Sequence, residues 1–66
     1  MASGSSENVL DTLQKIYRDL MNELADVVAT GGCQSFEDYK EITGTIKGLA
    51  LAERELLDLQ ERINKA

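Results

Sequence analysis

Cys33 is the residue whose type offers the most direct chemistry. It is the only cysteine, follows Gly31 and Gly32 in the run ATGGCQS, and precedes a segment with helical patterning. A helix N-terminus can depress a thiol's pKa and expose a reactive thiolate. A cysteine nucleophile also needs a base, and the chain has no histidine, which removes a Cys/His pair. We therefore expect Cys33 to be a loop or half-buried packing residue. The second group is acidic: Glu53, Glu55, Asp58 and Glu61, with Arg54 and Arg62 among them. Paired carboxylates do acid–base work when an apolar pocket moves their pKa. Here they alternate with leucines, which predicts a solvated helix face with weak ion pairs. Glu37 with Glu41, and Asp58 with Arg62, are surface neighbours by the same spacing. TGGC lacks the lysine and the preceding strand of a phosphate-binding loop. The aromatics are Tyr17, Phe36 and Tyr39. Without basic neighbours they do not read as a base-stacking platform. Phe36 and Tyr39 are expected to close a turn, Phe36 against Val28. No catalytic, cofactor-binding or metal-ligating residue is assigned.

The elements that would carry these side chains are helices. Val9, Leu13, Ile16, Leu20, Leu24 and Val27 recur at gaps of three and four, which is helical spacing. A second row, Leu10, Tyr17, Met21 and Val28, lies beside the first, so the apolar stripe is broad. Ser5 or Ser6 can cap this helix, which is expected over about 7–30. Gly31 or Gly32 ends it by taking a positive φ. After a turn over 31–35, Ser35 opens a second helix over about 36–64, with Asp38 completing a weak capping box. Its main row is Tyr39, Ile42, Ile46, Leu49, Ala52, Leu56, Leu59 and Ile63. A short turn makes the two helices antiparallel neighbours. The second helix, about 40 Å against about 33 Å for the first, should project beyond its partner's start unless the N-terminal segment covers its last turns. Residues 1–6 read as a flexible segment ahead of the 7–66 hairpin.

Two glycines interrupt the second helix. Gly44 and Gly48 lie one turn apart on one face, and each costs ~1 kcal/mol relative to alanine. They could kink or break the helix into two. The alternative is a contact groove formed by Gly44, Gly48 and Ala52, since small residues admit a close neighbour; that geometric part of a membrane motif transfers to water. Tyr17, Met21 or Leu24 would fill the groove, from the same chain or a second copy. Leu51 and Leu57 fall off the main row and ask for another surface. Tyr17, Met21, Leu24, Leu51 and Leu57 together form the expected interaction face.

The bulk composition limits the partners. At 66 residues the chain is one domain that buries only about 60% of its unfolded surface, and such scaffolds usually need a staple or a second subunit. One cysteine and no histidine exclude an intramolecular disulfide and a Cys/His zinc site within the chain. Twelve acidic and seven basic residues leave a net charge of −5, without the basic stripe that nucleic-acid binding requires. No apolar run reaches membrane-spanning length. MASGSSEN lacks the regions of a signal peptide, so we expect synthesis in a reducing cytoplasm.

The stretch SFEDYKEITGTIKGLALAERELLDLQERI, with the preceding ELADVVATGGC, resembles a group of very small proteins encoded by tailed bacteriophages. In these a Phe-x-x-Tyr follows a short turn, then a Gly-x-x-x-Gly-Leu, then an Ala-Glu-Arg-Glu before a leucine-rich end. Here those are Phe36, Tyr39, Gly44, Gly48, Leu49, Ala52, Glu53, Arg54 and Glu55. The resemblance covers about two thirds of the chain and leaves out its N-terminal third. Such genes lie among head and portal genes, which implies an assembly or virion role and no catalytic residue. The expectation is thus an all-α antiparallel hairpin that associates further, as a homo-oligomer or on a larger phage structural protein. It would act without enzymatic activity, cofactor, small-molecule substrate, nucleic acid or membrane, in the host cytoplasm during synthesis and then in the virion. The alternative is a small acidic regulator that binds and inhibits a host or phage enzyme, using its negative charge to mimic nucleic acid.

Overall fold

The computed structural model describes residues 5–65, with side chains from Val9 onward. It is an antiparallel hairpin of two helices, α1 (Ser5–Ala29) and α2 (Phe36–Lys65). α1 starts two residues before the expected boundary, so Ser5 and Ser6 belong to the helix. Residues 1–4 of the expected flexible segment lie outside the described residues.

The turn is built by the residues that the sequence places there. Gly31 has a φ of 80°. The Gly32 N–H donates to the Val27 carbonyl at 2.8 Å and the Gly31 N–H to the Val28 carbonyl at 3.3 Å. This pair of bonds satisfies carbonyls that the helix end leaves open. The Thr30 hydroxyl adds a bond to the Asp26 carbonyl at 2.7 Å. At Gly32 a methyl group would lie 2.7 Å from Val27 Cγ1 and 3.0 Å from the Val27 carbonyl oxygen. That closeness explains a second glycine. Across the turn, Ser35 Oγ accepts from the Asp38 N–H at 3.1 Å. Asp38 reaches back to the Gln34 N–H at 3.2 Å, one residue earlier than in a standard capping box. Glu37 and Asp38 sit in the first turn of α2, and Arg62 and Lys65 in its last, each favourable to the helix dipole.

Inside the hairpin the helices meet along a seam of heptad spacing. On α1 it comprises Leu10, Gln14, Tyr17, Met21, Leu24 and Val28, all partly covered. On α2 it comprises Ile42, Ile46, Leu49, Glu53, Leu56 and Gln60, with only Glu53 and Leu56 fully buried. The α2 row therefore passes through Glu53, whereas the sequence reading stepped to Ala52. On α1 the longer apolar row is only in part the seam: Leu24 belongs to it and Leu13 is partly covered, whereas Val9, Ile16, Leu20 and Val27 stay exposed on its flank.

Two cross-helix pairs fix the register. Arg18 bonds Glu53 and Gln60 bonds Asp11. Seven residues back along α1 thus match seven forward along α2, as two antiparallel helices require. This register places the start of α1, at Ser5, level with the last turn of α2, which is the case in which the sequence reading expected no projection. α2 also runs unbroken through Gly44 and Gly48, which removes the broken-helix alternative.

Candidate functional site

The acidic run does not form a uniformly solvated face. Glu53 is 7% exposed, the one buried charged residue among the described residues. Its Oε2 accepts from Arg18 Nε at 2.8 Å and from Gln14 Nε2 at 3.2 Å. The Arg18 side chain keeps 63% of its surface in solvent, so the pair is dry on one side only. The Gln14 amide, opposed by desolvation and assisted by the Arg18 guanidinium, holds the Glu53 carboxyl below the usual glutamate value of 4.5. A carboxylate held ionised by two donors is the opposite of a general acid, which needs a raised pKa. The cluster is a polar layer in a helix seam. The spacing signal was available: Glu53 stands between Leu49 and Leu56, and Gln14 between Leu10 and Tyr17, at gaps of three and four. Reading charge as exposure hid it.

Cys33 lies in the turn, free and half-buried. Among the described residues no cluster of three potential metal ligands exists, and no helix is long and apolar enough to cross a membrane. Phe36 does not close the turn against Val28 as expected. It is 68% exposed and stacks on Tyr39 with ring centroids 6.4 Å apart. Lys40 Nζ lies 5.6 Å from the Phe36 ring centroid.

The expected groove needs one correction. A methyl group built at Gly44 or Gly48 would meet nothing within 4 Å. No side chain of the same chain fills a groove there, because both glycines point away from the seam; Ala52 is partly covered. The expected interaction face divides in two. Tyr17, Met21 and Leu24 are partly covered along the α1 seam, whereas Leu51 is 57% and Leu57 41% exposed on α2.

The surface that the sequence reading did not single out is the outer row of α1. Val9 is 67% exposed, Ile16 47%, Leu20 41% and Val27 37%. At 3.6 residues per turn these lie on the flank opposite Arg18 and Asp11. On α2 the flank turned to the same side carries Thr45, Gly48, Ala52, Leu59 and Ile63; Tyr39 and Leu57 occupy the other. Leu59 and Ile63 are 41% and 54% exposed. One broad face of the hairpin is therefore an apolar ridge on α1 beside a track on α2 that is low in its middle. Glu23, Glu41 and Glu55, all exposed, border it.

Compared with known families, curated proteins and solved structures, the chain matches none.

Proposed function

We propose that this chain is a non-enzymatic structural or assembly component of a tailed-phage virion, acting at the capsid, portal or head–tail connector by docking through its apolar helix faces. The observation that supports docking is the burial pattern. Leu56 is the one fully buried apolar side chain among the described residues, while ten large apolar or aromatic residues stay more than a third exposed. A domain that buries so little of its apolar surface is completed by something else. The phage setting rests on the resemblance around Phe36, Tyr39, Gly44, Gly48 and the Ala52–Glu55 segment. The Glu53 carboxylate is engaged in helix pairing by Gln14 and Arg18, which fits a structural role.

Mass spectrometry of purified virions and of assembly intermediates tests this role. The chain is expected in one or both. Absence from every particle, together with recovery on a host or phage enzyme, would overturn the assembly role in favour of the acidic regulator.

A further inference from the structure

The hairpin exposes 5077 Å². A compact monomer of this length exposes about 4,200 Å². The excess, about 900 Å², includes the chain ends; one partner's share of a standard protein interface is about 800 Å². The face described above has the composition to be that share: Val9, Ile16, Leu20 and Val27 on α1, with Leu59 and Ile63 on α2, are exposed and apolar.

Its relief also says what fits it. The bonds Gln14–Glu53, Arg18–Glu53 and Asp11–Gln60 bracket the register: Leu20 lies level with the 47–51 turn of α2, which carries Gly48, Ile16 with the 51–55 turn, which carries Ala52, and Val9 with the 58–62 turn, which carries Leu59. A twofold axis parallel to the helices, lying between two such faces, lays α1 of each copy over α2 of the other at the same level. Each ridge then meets the other copy's low track. The space above Gly48, empty in one chain, receives a leucine from the second. The face is self-complementary, as a twofold interface must be, and the product is a four-helix bundle.

We propose, building on the docking role above, that the occupant of this face is a second copy of the chain, paired so that Leu20 of each copy sits over Gly48 of the other. The rest follows from the chemistry. A hairpin with this little core needs its cover whenever it folds, and a second copy is present wherever the first is made. Both copies carry −5, so the pairing tightens with salt, whereas docking on a basic partner would loosen.

Engineered disulfides test the pairing. In a Cys33→Ser background, Leu20→Cys with Gly48→Cys is oxidised gently and run on a non-reducing gel. Most of the chain is expected at dimer mass, against a small fraction for Leu20→Cys with Leu51→Cys, because Leu51 faces away. Circular dichroism confirms that each variant is helical. Should the first pair unfold, Ile16→Cys with Ala52→Cys reports the same level of the interface. Equal cross-linking by the two pairs, or a bridge formed within one chain at monomer mass, would overturn the proposal. The two readings fail separately. A cross-linked dimer absent from all particles sinks the virion role and leaves the pairing; a particle-borne chain that does not cross-link does the reverse.

Discussion

Glu53 occupies a seam position where an apolar side chain would pack without cost, and it stays ionised there. Burying a carboxylate is unfavourable unless donors replace its water, and Gln14 and Arg18 do so. A slipped register would strand the charge against apolar neighbours, so we infer that this layer selects one pairing of the helices, as a single polar seam residue does in coiled coils. The cost of the choice is sensitivity to acid. The folded carboxyl has a depressed pKa, so its contribution is complete above the ordinary value of 4.5 and is lost as pH falls through the lower folded value. The melting temperature is expected to drop over that interval, and less steeply in Glu53→Gln, which cannot titrate. Thermal melts of both proteins from neutral to acidic pH check this. Parallel curves would show that Glu53 is not the titrating support. Residue type alone misled here, since an acid between leucines reads as surface; only its place at the three–four spacing betrays it.

The helices themselves were largely legible. Ser35, Asp38, Gly31 and Gly32 act through local bonds to their own backbone, and local chemistry is what a sequence displays. Which apolar row becomes the seam is a tertiary decision, and four residues of the longer row on α1, Val9, Ile16, Leu20 and Val27, proved to lie outside it. The two kinds of glycine separate by the same logic. Gly31 takes a φ of 80°, where a side chain costs about 1–2 kcal/mol. Gly44 has helical backbone and open space around it, between Thr43 and Thr45, whose hydroxyls bond back to the Tyr39 and Glu41 carbonyls. Alanine at Gly44 is expected to stabilise the protein by up to about 1 kcal/mol, a rise of about 4–8 °C in a domain of this size. Gly31→Ala is expected to lower the midpoint by at least as much. A melting comparison of the two variants decides it. A drop for Gly44→Ala would reveal a close neighbour at Gly44 that the single chain does not contain.

At the scale of the whole molecule, a hairpin with one polar layer, one fully buried leucine and a broad apolar face is, on the proposed reading, half of a packed object. The excess leucines of the sequence pointed to a further surface. They could not say which face was left over, because that depends on how the helices rotate about their axes when Gln14 and Glu53 take the seam. The central claim is that the face of Val9, Ile16, Leu20 and Val27 is covered by a second copy. Sedimentation equilibrium of the unmodified chain at micromolar concentration, in low and high salt, measures this most directly. A dimer mass with full helicity, tighter in high salt and shifted toward monomer by Leu20→Glu, is the expected result. A fully helical monomer in both salts would contradict the account.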